Sequence, residues 1–182
     1  MGAESYFITF LPEEVKPNNS NGIIEFFDAS KIHVSCVLEC LKKHQFSIRQ
    51  IKETEWCWYL INDLLVMRIE HQNMNIQAIS LEGCFSWYEE GLHLCYDIAN
   101  FINNEIFSIK VYHPLDIMNK LMSREEFIEQ LLKIYDKKHS EFIKLFGELK
   151  IKASPEDFYK IYMKNKKKDK LFKIFKFSGL KR

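Results

Sequence analysis

Four residues of one segment carry side chains that bind soft metals: His33, Cys36, Cys40 and His44. If the segment is helical, the spacing i, i+3, i+7, i+11 places them in one sector of about 80°, because each residue turns about 100°. Thiolate and imidazole are ligands that zinc prefers. A straight helix cannot wrap all four around one ion, since at about 1.5 Å per residue the ends of the set lie about 16 Å apart. Two of them, Cys40 and His44 for example, could share a metal only with a residue from elsewhere. The sector borders an apolar stripe of Val34, Val37, Leu38 and Leu41. It therefore reads as the edge of a core, and no metal or other cofactor is expected.

Cys84 sits in Gly83-Cys84-Phe85-Ser86-Trp87, between a strand pattern and a helix pattern, where nucleophiles often lie. His93 or His113 could activate it. No GxSxG elbow and no cysteine-protease signature surrounds it. Glu89-Glu90 invites a carboxylate-pair mechanism, but adjacent helical residues point about 100° apart. The chain has no Walker loop, no GxGxxG and no HExxH. The cysteines at 36, 40, 57, 84 and 95 are odd in number and lack CxxC spacing, so they read as reduced core thiols. The expectation is a non-enzyme, with a Cys84 thiol enzyme as the alternative.

These residues must be positioned by regular elements, because Gly and Pro are scarce. Ser5 to Leu11 is β-branched and aromatic and reads as a strand stopped by Pro12. The run Asn18-Asn19-Ser20-Asn21-Gly22 reads as a loop tip, followed by a short strand at Ile23 to Phe27. A helix capped by Asp28 or Ser30 runs to His44. Strands are expected at Phe46–Ile51, Trp56–Ile61, Leu64–Ile69 and Ile76–Leu81. A tight hairpin is expected at Asn62-Asp63 and a turn at His71 to Asn75. Trp56 and Trp58 share one strand face, which points to core or interface rather than to a base-stacking platform.

Gly83 reads as a break. Leu92, Cys95, Ile98, Ala99 and Ile102 mark a second helix ending near Asn103-Asn104, and Glu105 to Tyr112 a further strand. Ser123-Arg-Glu-Glu126 is a capping box that opens a helix with Phe127, Leu131, Ile134 and Tyr135, closing near Gly147. Ser154-Pro155 starts another. Clustered strands with segregated helices predict an α+β fold: an antiparallel sheet with helices packed on one face and a C-terminal helical extension. The chain of 182 residues fits a core at 1–113 and a helical extension at 114–182 packed on the same domain. No apolar run reaches the roughly 18 residues of a membrane span, and Glu4, Glu13 and Glu14 interrupt any secretory segment. A cytoplasmic location is the expectation.

Charge is strongly segregated. Between Ile69 and Ile109 there is no Lys or Arg, while Glu70, Glu82, Glu89, Glu90, Asp97 and Glu105 all fall there. From Lys164 to Arg182 the balance inverts, with Lys166, Lys167, Lys168, Lys170 and Lys173 set among Leu171, Phe172, Ile174 and Phe175. The formal net of +1 hides two opposite fields. An acidic field favours a cationic partner and disfavours nucleic acid. The predicted contact is therefore an acidic surface at Glu82, Glu89, Glu90 and Asp97, with Trp87 and Tyr88 as apolar anchors. The basic tail carries the alternative, an adaptor binding nucleic acid or anionic membrane.

The stretch Ile79-Ser-Leu-Glu-Gly-Cys-Phe-Ser-Trp-Tyr-Glu-Glu-Gly-Leu92, placed after a hairpin sheet, resembles small bacterial immunity proteins of toxin competition systems. The resemblance covers about a quarter of the chain and lies in an acidic, aromatic strand-to-helix turn. It implies an α+β inhibitor that neutralises a basic toxin domain, and it leaves the basic tail unexplained.

Overall fold

The computed structural model describes residues 5–20, 23–26, 28–53, 56–113 and 120–148. Eight strands and three helices follow in the order β1 (Ser5–Pro12), β2 (Pro17–Ser20), β3 (Ile23–Phe26), α1 (Val34–Lys43), β4 (Ile48–Glu53), β5 (Cys57–Ile61), β6 (Leu65–Gln72), β7 (Asn75–Cys84), α2 (Tyr88–Glu105), β8 (Ile109–Tyr112) and α3 (Arg124–Phe146). Six strands form one antiparallel sheet ordered β4-β5-β6-β7-β1-β8, and β2 and β3 form a separate hairpin. All three helices lie on one face of the large sheet. The fold is α+β, as the element order predicts.

Period-two alternation decides which side chains meet the helices. Tyr6, Ile8 and Phe10 of β1, Met67 and Ile69 of β6, and Ile79 and Leu81 of β7 share one core with Val37 and Leu41 of α1 and Leu92, Ile98 and Ile102 of α2. Helix α3 joins the same core through Phe127, Leu131, Tyr135 and Phe142, so this part of the expected extension is built into the body. The opposite face carries Leu11, Ala78 and Tyr112 as a small second cluster under Phe26.

Turn chemistry fixes the register. Asn62 and Asp63 adopt φ of 49° and 55°, the left-handed pair that joins β5 to β6 with matching twist. Asn73 and Met74 repeat this between β6 and β7, at φ of 53° and 65°. Methionine in that region is held by what surrounds it. Its carbonyl accepts from Val34 N–H at 2.9 Å, and Ile76 N–H donates to Ile32 O at 2.9 Å. The hairpin tip is thereby tied to the chain entering α1.

Several expected boundaries move. Helix α1 begins at Val34, with His33 as its cap, instead of at Asp28 or Ser30. The Asn-rich loop tip pairs as β2 with β3. Strand β7 runs through Gly83 to Cys84 where a break was expected. Gly83 is required for a close approach: a Cβ there, or at Gly91 of α2, would collide with the Tyr6 ring. The expected strand from Glu105 starts only at Ile109, because Glu105 still belongs to α2. The capping box is as predicted, with Ser123 and Glu126 bonding reciprocally, and α3 closes at Gly147. The expected helix at Ser154-Pro155 lies outside the described residues.

Candidate functional site

Each carboxylate of the acidic stretch follows from its place on a strand or helix, and the places differ. Glu70 and Glu82 lie on β6 and β7 and point to the helix-free side of the sheet. Glu70 pairs with Arg68 at 2.8 Å. Burial holds its carboxyl above the usual range, against the opposing pull of Arg68. Glu82 accepts from the Ser5 hydroxyl at 2.7 Å. Asp97, midway along α2, is paired with Arg124 of α3. Glu105, at the far end of α2, meets Lys43 of α1 at 2.7 Å and His44, the cap that follows that helix. Those two hydrogen bonds, Lys43 first, lower its pKa.

Like Glu82, Glu89 and Glu90, exposed in the first turn of α2, have no ion-pair partner among the described residues. There they complement the positive end of the helix dipole. The predicted set Glu82, Trp87, Tyr88, Glu89, Glu90 and Asp97 therefore does not form one surface. Tyr88 is corrected most plainly. It is 5% exposed, donates to Leu131 O at 3.0 Å and packs on Phe85 and Tyr6, so it is a core residue. Trp87 is half-buried.

A different constellation is assembled on the helix-free side. Strand β5 presents Trp58, β6 presents Val66 and Arg68, β7 presents Ser80 and Glu82, and β1 presents Phe7. These six side chains line a hollow of about 170 Å³. The Arg68 guanidinium lies over Trp56 and Trp58, with its Cζ 4.8 Å and 5.6 Å from the ring centres. Glu70 holds the outer end of that guanidinium through Nη2. Two buried donors beside the hollow, Trp58 Nε1 and Arg68 Nε, have no acceptor among the described residues. Leaving a buried donor unmatched costs roughly 1–3 kcal/mol. Trp, Arg and an apolar floor within a polar rim are the composition of an interaction hot spot. Sequence reasoning placed Trp56 and Trp58 on one face but missed Arg68 and Phe7. Cross-strand register brings them together, and a one-strand reading does not contain it.

The alternative candidate nucleophile is a buried thiol. Cys84 is 2% exposed and takes a hydrogen bond from Ser86 Oγ at 3.3 Å. His113 engages Tyr135 Oη at 2.8 Å, and His93 faces Arg124. On α1, His33 caps the helix by accepting from Ser35 N–H, Cys36 is exposed, and Cys40 is buried one turn before His44. The basic residues Lys166, Lys167, Lys168, Lys170 and Lys173 lie outside the described residues. Among the described residues no helix is long and apolar enough to cross a membrane. No protein-family model, curated protein or solved structure matches the chain.

Proposed function

We propose that the protein is a binding protein that inhibits a protein partner by gripping a protruding segment of it in the hollow between Phe7, Trp58 and Glu82. The observation that carries this reading is the pair of buried donors, Trp58 Nε1 and Arg68 Nε, left without acceptors among the described residues beside an aromatic slot. A shift of the Arg68 and Trp58 side chains on binding would uncover these atoms to main-chain carbonyls of the segment, which would supply the missing acceptors. A basic side chain of that segment would run its apolar stem along Phe7 and Val66 and end on Glu82. The exposed Glu89 and Glu90 would speed the encounter with a cationic surface without being the grip itself. A basic toxin domain, neutralised in the manner of an immunity protein, is the sharpest form of the proposal.

The test is a photo-crosslinking residue placed at Phe7, with Glu129 on the exposed side of α3 as control, in the source cell. The reading expects one protein captured from position 7 and not from 129. The purified pair should then lose about 2 kcal/mol of binding, roughly thirtyfold in Kd, on Trp58→Ala or Glu82→Lys. Equal capture at both positions, or affinity indifferent to both substitutions, would refute it.

A further inference from the structure

We infer that Cys40, His44 and Glu105 form a binding site for a divalent zinc-type ion, with one coordination position open to solvent. Cys40 and His44 stand one turn apart at the C-terminal end of α1, so both side chains project from the same face. The fold supplies the residue from elsewhere that this pair needs. Glu105 is the last residue of α2, and that helix end abuts the end of α1. One donor atom from each of the three lies within 4.8 Å of the others. In a tetrahedral site with bonds of about 2.1 Å the donors are about 3.5 Å apart. Rotamer adjustments on the order of 1 Å therefore close the site with no movement of the helices.

The donor set suits zinc in type and in charge. Thiolate, neutral imidazole and carboxylate are all zinc ligands, and the first and last together cancel the charge of a dication. On binding, the Cys40 S–H bond breaks, its proton passes to solvent, and the sulfur lone pair goes to the metal. Two contacts already orient the ligands. The His44 ring lies flat on Phe101, with centroids 3.6 Å apart and planes 18° from parallel. Lys43 Nζ donates to Glu105 Oε2 at 2.7 Å, which leaves Oε1, the oxygen facing His44, as the metal donor. Outer contacts of this kind fix the geometry of ligands in metal sites.

A hollow of about 600 Å³, walled by Lys31, His33, Cys36 and Glu39, opens onto Cys40 and Glu105. The fourth position therefore faces water or a small solute, as in zinc sites that keep one place free. Without a metal the three residues remain an ion-pair and hydrogen-bond cluster joining two helix ends, which is the competing account.

Cobalt(II) distinguishes the two, because a thiolate–cobalt bond has a charge-transfer absorption that an ion pair lacks. The reduced full-length protein is titrated with Co²⁺ and then with Zn²⁺. The site predicts the absorption saturating at one equivalent and lost on zinc addition. Cys40→Ser should abolish it. His44→Gln and Glu105→Gln should each weaken cobalt binding by about tenfold or more, while Cys36→Ser leaves it unchanged. Zinc should raise the unfolding temperature of the native protein and not that of Cys40→Ser, whose metal-free circular dichroism should match the native spectrum. No charge-transfer band, a band that survives Cys40→Ser, or a band removed by Cys36→Ser would overturn the site.

Discussion

Two tyrosine hydroxyls show how far a residue's worth depends on its partners. Tyr6 is 1% exposed and its Oη has no hydrogen-bond partner among the described residues. Burial and the neighbouring Cys95 and Tyr88 push its pKa well above 10.0. Tyr135 spends its hydroxyl fully. Its single proton goes to Phe7 O at 2.5 Å, so it accepts from Phe7 N–H at 3.0 Å and from His113 Nε2–H at 2.8 Å. The same substitution should have opposite effects. Tyr6→Phe removes a desolvated, unmatched hydroxyl and should leave stability unchanged or raise it by up to about 1 kcal/mol. Tyr135→Phe strands two backbone groups of β1 and should cost roughly 2–4 kcal/mol. Urea unfolding of both variants checks the contrast. Gly91→Ala should be destabilising by about 1–3 kcal/mol through overpacking. Tyr6→Phe should recover part of that loss, because the hydroxyl is the atom nearest the added methyl.

His139 gives the molecule a pH dependence at the same scale. Burial against Phe85 and Tyr88 holds its pKa below 6.5, although Asp136 and Glu89 pull the other way. An imidazole depressed in the folded state binds fewer protons than in the unfolded chain. Stability is therefore full above 6.5 and falls as pH drops through the folded pKa. His139→Gln should flatten the decline of unfolding temperature between about pH 7 and 5. A profile as steep as the native one would place the titration elsewhere.

At the scale of elements, the readable features were those whose signal is local. The capping box at Ser123 and Glu126 fixes the start of α3 through contacts three residues apart, and it was legible to the residue. Ser123→Ala should cost about 1 kcal/mol, read as a lower denaturant midpoint at unchanged slope. The Asn62-Asp63 hairpin was legible for the same reason, since both residues tolerate a positive φ. Gly83 was misread because its purpose is distant. It makes room for Tyr6, a residue on the neighbouring strand. Glu105 was assigned to a strand, although Ile106 N–H and Phe107 N–H both bond back to Ile102 O and keep the helix intact to that point.

For the whole molecule, the acidic stretch shows what a linear charge map omits. Arg68, Lys43 and Arg124, the residues that neutralise Glu70, Glu105 and Asp97, all lie outside the lysine- and arginine-free block in sequence but against it in space. Strand alternation and helix rotation then send the remaining carboxylates to different faces. The sheet's helix-free side concentrates instead what adjacency hides: two tryptophans, one stacked arginine and a shared hollow drawn from four strands.

The two candidate surfaces each hold a distinguishable tryptophan, and the chain has only three. The most direct measurement is therefore the indole N–H region of a nitrogen-edited NMR spectrum, assigned by Trp→Phe replacement, before and after addition of the partner captured from position 7. Binding in the sheet hollow predicts that the Trp58 signal moves while the Trp87 signal stays in place. A shifted Trp87 beside an unmoved Trp58 would return the contact to the acidic turn at Glu89 and Glu90 and contradict the account.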